Sequence, residues 1–178
     1  KAAKPSGGGN YTVVDLETTG LNAASDAIVE YGALRVRAGQ PAEEFAILVR
    51  QTAPLPETVT KLTGITPEML EEGMEPQAAL DAFLDFIGGD MLVGHNLKFD
   101  LDFLRTACIR NKRPILTSRS ADLLQLARRK VSGVPNFKLL TLAQHFEVAD
   151  VVEHRALPDC RLIQKVYAKL NEPGVDGR

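Results

Sequence analysis

Three places in the chain carry side chains that could hold a cation or move a proton. Asp15 and Glu17 stand two apart in Asp15-Leu16-Glu17-Thr18-Thr19-Gly20, directly after the β-branched and aromatic run Tyr11-Thr12-Val13-Val14. Strand side chains alternate between faces, so both carboxylates share one face, about 7 Å apart. Such a pair repels unless something positive lies between, and oxygen ligands suit a hard divalent cation such as magnesium or manganese. The second place is Gly94-His95-Asn96-Leu97-Lys98-Phe99-Asp100, at the carboxyl end of the apolar run Met91-Leu92-Val93, where strands often face a ligand crevice. The third is His154-Arg155-Ala156-Leu157-Pro158-Asp159. Asp159 lies on the helical stripe of Ile163, Val166 and Leu170 and points inward, where a carboxylate needs a partner or stays neutral. Each place alone also has an ordinary reading. Asp15 and Glu17 could be a solvated strand end, and Asp100 could complement a helix dipole. His145, in the middle of an expected helix, reads as structural.

The elements that must position these residues follow from periodicity and punctuation. Strands are expected over 10–17, 27–36 and 43–50, joined by short turns that imply an antiparallel meander. Residues 54–64 read as loop with about one helical turn. Thr66-Pro67-Glu68 has the form of an N-cap, a first-position proline and an acid in the first turn. Helices are expected over 76–87, 99–111, 122–130, 138–146 and 156–170, with short strands at 90–94 and at Ile115-Leu116. Strands followed by interleaved helices give an α/β architecture around a mixed sheet. Residues 1–9 read as a linker, 10–171 as one domain and 172–178 as a frayed tail.

Of the 178 residues 44% are hydrophobic and 25% charged, which fits a globular domain. No apolar run approaches the roughly 20 residues of a membrane span. Cys108 and Cys160 have no metal-type spacing and fit buried thiols in a reducing cytoplasm. The net charge of −2 does not announce a nucleic-acid binder. Its distribution is uneven, however. Eight basic residues between Phe103 and Lys130 face Asp122 alone, a stripe that could track phosphates or simply be solvated helix faces. The chain has no Gly-x-Gly-x-x-Gly and no phosphate-binding loop, against the usual dinucleotide or nucleoside-triphosphate chemistry.

Taken in order, Asp15-x-Glu17-Thr18-Thr19-Gly20, Asn96-x-x-Phe99-Asp100 and His154-x-x-x-x-Asp159 resemble the three motifs of the DEDD superfamily of 3′→5′ exonucleases, in its histidine-bearing branch. Arg at position 155 excludes the tyrosine-bearing branch. Within the histidine-bearing branch the chain is most similar to the epsilon-type proofreading exonucleases of bacterial DNA polymerase III and to the exonuclease domain of Gram-positive replicative polymerases. Lys61-Leu62-Thr63-Gly64-Ile65-Thr66 adds to that likeness.

The resemblance implies an RNase H-like fold, a mixed five-stranded sheet flanked by helices. It implies hydrolysis of single-stranded DNA or mismatched 3′ ends to nucleoside 5′-monophosphates with two divalent cations, Mg2+ or Mn2+. Asp15, Glu17, Asp100 and Asp159 would be the metal ligands and His154 the general base. Thr18, Gly20, Leu21, His95, Asn96, Phe99 and Phe103 would contact the nucleic acid. A replicative polymerase or a fused polymerase or helicase is the implied partner. An RNA exonuclease, an RNase H-type endonuclease and a non-catalytic binding module are the competing readings; the last is disfavoured because all four carboxylates and the histidine are present. Imidazole changes charge in the physiological range. Hydrolysis should therefore rise with pH as His154 becomes free to accept a proton, and a rate that is flat from about pH 6 to 9 would remove it from that role.

Overall fold

The computed structural model describes residues 9–175. The strands are β1 (Tyr11–Thr18), β2 (Ile28–Arg37), β3 (Gln40–Leu48), β4 (Leu92–Gly94) and β5 (Ser120–Asp122). They form one sheet in the order β3-β2-β1-β4-β5. The first three make the expected antiparallel meander, while β4 and β5 run parallel to β1. β1 is thus central, antiparallel to one neighbour and parallel to the other.

The helices are α1 (Glu57–Thr63), α2 (Pro67–Glu71), α3 (Pro76–Ile87), α4 (Leu97–Arg110), α5 (Leu123–Lys130), α6 (Leu139–His145) and α7 (Ala156–Leu170). Alternation along the central strands sorts them into two outer layers. Tyr11, Val13, Leu34 and Val36 pack with α5, α6 and α7. Val14, Leu16, Tyr31 and Ala33 pack with α3 and α4 on the opposite face. A smaller cluster of Val29, Ile65 and Leu70 seats α2 and the segment before it. This is the mixed five-stranded α/β sandwich that the sequence implied.

The local signals explain several boundaries. Thr66 caps α2 by accepting the N–H of Met69, with Pro67 at the first position. Both cysteines are buried free thiols. No helix among the described residues is long and apolar enough to cross a membrane.

The fifth strand lies elsewhere than expected. Ile115 and Leu116 belong to a loop, and Ile115 is 48% exposed. Pro114 has no N–H to offer a ladder there. The ladder starts instead where the Leu92 N–H meets the Arg119 carbonyl and continues through Ser120-Ala121-Asp122, residues with little strand propensity of their own. The sheet edge overrides that propensity because Asp122 then runs directly into α5 and caps it. β3 starts earlier than expected, at Gln40, and α4 at Leu97. Part of the basic stripe is structural: Arg113 grips Asp81 through two contacts of 2.6 and 2.7 Å, and Lys130 donates to the Leu170 carbonyl. Val175 packs against the core beyond α7, while 1–8 and 176–178 lie outside the described residues.

One glycine fixes how closely α7 approaches the sheet. A methyl group at Gly32 would lie 2.5 Å from the carbonyl carbon of Ala156 and 2.7 Å from the Leu157 nitrogen. Helix backbone and strand backbone meet with no side chain between them. Gly32→Ala should therefore lower stability by about 1–3 kcal/mol, the usual range for overpacking. A lower urea midpoint at unchanged slope is the expected result; an unchanged midpoint would mean that α7 is not held against β2 in solution.

Candidate active site

Asp15 and Glu17 lie near the carboxyl end of β1, on the α7 side. Their partners across the ladder are Gly32 and Glu30. The register slips between Glu17 and Thr18, so the strand ends at a bulge just past the two acids. Gly32, having no side chain, lets α7 come down over Asp15. Asp159 sits in the first turn of that helix and is 7% exposed. Asp15, Glu17 and Asp159 each bring one oxygen into a group whose members all lie within 4.8 Å of one another.

The donor set fits a hard divalent cation. All three ligands are carboxylate oxygens, and the buried Oδ1 of Asp159 has no hydrogen-bond partner. Without a cation, burial and mutual repulsion hold these acids above the usual carboxylate range. Burial, then Asp100, Glu17 and Asp159, push Asp15 well above the usual carboxylate range. Burial, then Asp159 and Glu30, raise Glu17 to about 8. Burial raises Asp159 to about 6, although the backbone N–H of His154 pulls it down.

Asp100 stands apart from that trio. It lies in the first turn of α4, is 3% exposed, and accepts the Leu16 N–H at 3.0 Å. That bond ties it to the strand residue between Asp15 and Glu17. Burial raises it to about 8, against the opposing effect of the Leu16 bond. Asn96, at the head of α4, has left-handed backbone (φ 57°), and its N–H is held by Asp122 at 2.9 Å. Asp122 therefore joins the turn before α4 to the start of α5. Spacing alone does not mark it, although an Asp directly before Leu123-Leu124 is a helix-capping signal.

His95 faces inward. Burial lowers its pKa, against the pull of Asp122 and of the Phe137 carbonyl. Its Nδ1 is buried without a partner.

Next to the acids, residues 19–27 form a tight loop. Asn22 Oδ1 accepts the Ala24 N–H, Asp26 accepts the Asn22 N–H, and Thr19 Oγ1 accepts the Ala27 N–H. The Thr18 hydroxyl donates to the Gly20 carbonyl at 2.6 Å. The loop holds Leu21 out at 87% exposure. Leu21, Phe99 and Phe103 line a groove of ≈ 550 Å³, with the two rings 4.9 Å apart. A groove with aromatic walls, flanked by Asp102 and Arg105, can take a flat ring.

His154 is exposed in the segment before α7, with left-handed backbone at φ 52°. Few residues other than glycine adopt that conformation, and it tends to persist at functional sites. The next residue, Arg155, reaches across to the buried Glu30 with contacts of 2.7 to 3.1 Å. Sequence reasoning does not single out Glu30. Its one signal is a lone acid inside the otherwise apolar run from Ile28 to Leu34.

A sequence profile described as exonuclease matches residues 12–167. The chain is 32% identical over 164 residues to the DNA polymerase III subunit epsilon of Aquifex aeolicus, covering 92% of this chain and 81% of that one. It is 34% identical over 166 residues to the PolC-type DNA polymerase III of Caldanaerobacter subterraneus subsp. tengcongensis, covering 92% of this chain. It spans 12% of that polymerase's length. Among solved structures, E. coli Exonuclease I in complex with a dT13 oligonucleotide superposes with a TM-score of 0.82 at 18% identity, covering 92% of this chain and 41% of that one. That likeness speaks for the fold.

The raised carboxyls set a pH dependence. At a pH between the ordinary carboxylate range and about 6 to 8, the folded metal-free chain binds more protons than the unfolded one. Its stability must then fall as pH rises through that window. Thermal melts in chelator should show a midpoint that declines from about pH 4 to 8. Mn2+ should reverse the decline, adding about 2.7 kcal/mol at a hundredfold excess over Kd. A midpoint indifferent to both pH and Mn2+ would exclude the cation site.

Proposed function

The chain belongs to the exonuclease family, and from that premise we propose that it is a metal-dependent 3′→5′ exonuclease acting on single-stranded DNA ends. The convergence of Asp15, Glu17 and Asp159 on one point carries this reading, and the groove at Leu21 and Phe99 offers a place for a base. The epsilon and PolC-type relatives support a proofreading role beside a replicative polymerase. We place that role in the cytoplasm and in residues 10–171. The oligonucleotide held by Exonuclease I supports single-stranded DNA as substrate.

In this reading Asp15, Glu17 and Asp159 would hold one divalent cation, Mg2+ or Mn2+, and Asp100 would help to hold a second. Bound there, the cations would offset charge on the scissile phosphate and ease ionisation of the attacking water. The chain's own groups do the rest. The exposed imidazole of His154, in the segment that leads into α7, takes the proton from the attacking water. Leu21 and Phe103 meet the terminal bases, Phe103 at only 3% exposure and with the more open ring of Phe99 beside it. Thr18 and Gly20 border the acids where the 3′ terminus must rest. Asn96 is held at the head of α4 by Asp122, and His95 stands next to it at the end of β4 as a further nucleic-acid contact.

Asp15→Ala should lower hydrolysis on the order of 10³-fold or more, since it removes the carboxylate at the centre of the cluster. The fold should survive, because a repelling charge is removed as well. The assay is a 3′-labelled oligonucleotide, as DNA and as RNA of one sequence. Release of mononucleotides from the 3′ end of DNA is the expected product; internal fragments would point to an endonuclease, and faster RNA cleavage to an RNA exonuclease.

A further inference from the structure

Helix α7 has no cap of its own. Its N-cap residue, Arg155, makes no side-chain capping bond, and the helix carries both Asp159 and, just ahead of it, His154. The cap comes instead from β2. Glu30 Oε2 accepts the Ala156 N–H at 3.0 Å, across 126 residues of sequence. The same carboxylate holds the Arg155 guanidinium through Nε and Nη2. The Glu30 side chain is 4% exposed and that of Arg155 32%. One acid thus satisfies an orphan helical N–H and grips the residue before it, in a two-pronged geometry that fixes direction as well as distance.

The location makes this more than a buried ion pair. Glu30 is the ladder partner of Glu17, and Gly32, two residues on, is the partner of Asp15. Gly32 sets the height of α7 above the sheet, while Glu30 and Arg155 set where its first turn begins. Glu30 is also a further carboxylate next to the three that converge, and its pairing with Arg155 keeps it from competing for the cation. Arg155 in turn draws the carboxyl of Glu17 downward, against the larger upward effects of burial, Asp159 and Glu30.

We propose that Glu30 and Arg155 are positioning residues: they cap and orient the first turn of α7 so that Asp159 and His154 meet Asp15 and Glu17, and they withdraw Glu30 from the ligand set. This rests on the metal-dependent hydrolase reading above.

The test uses the 178-residue chain, calorimetric titration with Mn2+ alone, and steady-state hydrolysis of a single-stranded DNA oligonucleotide at saturating Mn2+. Glu30→Gln leaves an unpaired cation beside the cluster. It should weaken Mn2+ binding and lower kcat, each by about 10- to 100-fold, the range for residues that orient metal ligands. KM should stay within about twofold, because the groove is untouched. In the double variant Glu30→Gln/Arg155→Gln both charges are gone. Mn2+ affinity should then recover only the part lost to the unpaired guanidinium and stay about tenfold below wild type, with kcat still low, which separates charge from orientation. Arg155→Lys keeps the charge but not the fork, so kcat should fall about tenfold or more at near wild-type Mn2+ affinity. That milder variant carries the test if Glu30→Gln fails to fold. Variants that melt earlier yet keep wild-type Mn2+ affinity and kcat would reduce the pair to a structural salt bridge and overturn the proposal. A wild-type chain that binds no Mn2+ would overturn the functional reading and the pair's role with it.

Discussion

Mutual repulsion among buried carboxyl groups is the constraint around which this molecule is organised. Asp15, Glu17 and Asp159 are drawn together, with Asp100 close by on the strand's other side, in a place where each alone would prefer water, and burial raises all four. A fold can tolerate this only if the groups are carried on elements anchored elsewhere. Here they are. Asp15 and Glu17 end the central strand, Asp100 is tied to that strand through the Leu16 N–H, and Asp159 rides on a helix whose inner face is buried. The apolar layers on both faces of the sheet supply the stability that the acid cluster withdraws.

The topology decides where the strain collects. β1 and β4 run parallel, so their carboxyl ends and the turns after them lie side by side at one edge of the sheet. That is the usual position for a ligand crevice in α/β architecture. The antiparallel meander adds what a purely parallel sheet could not. It brings β2 back along β1, placing Gly32 and Glu30 opposite the two acids and giving α7 a surface on which to end. Two left-handed non-glycine residues, Asn96 and His154, both stand where the chain leaves sheet or loop to begin a helix.

Much of this is legible in the sequence because it depends on local pattern. The alternation before Asp15, the inward stripe of α7 and the capped start of α2 are periodic signals, and the structure has them as read. β5 is not legible, since Ser120-Ala121-Asp122 is a strand only because β4 is beside it. Glu30 and Arg155 escape for the same kind of reason. Their meaning comes from a contact across more than a hundred residues, and the only local hint is an acid in an apolar run. Asp100 is visible as an acid at a helix start, but its bond to Leu16 is a tertiary fact. His95 reads as facing substrate from its place after a strand, and only packing shows how far its ring turns inward.

The left-handed backbone at His154 has a consequence for anyone wishing to engineer this domain. Glycine or asparagine would sit there with less strain, so a screen that rewards heat resistance will be drawn to the position. The substitution it favours would discard the imidazole. In the role proposed for His154, durability and turnover are opposed at a single codon, and a hardened version of this domain is better sought on the outer faces of α3 and α5, well away from the residue that the backbone strains to present.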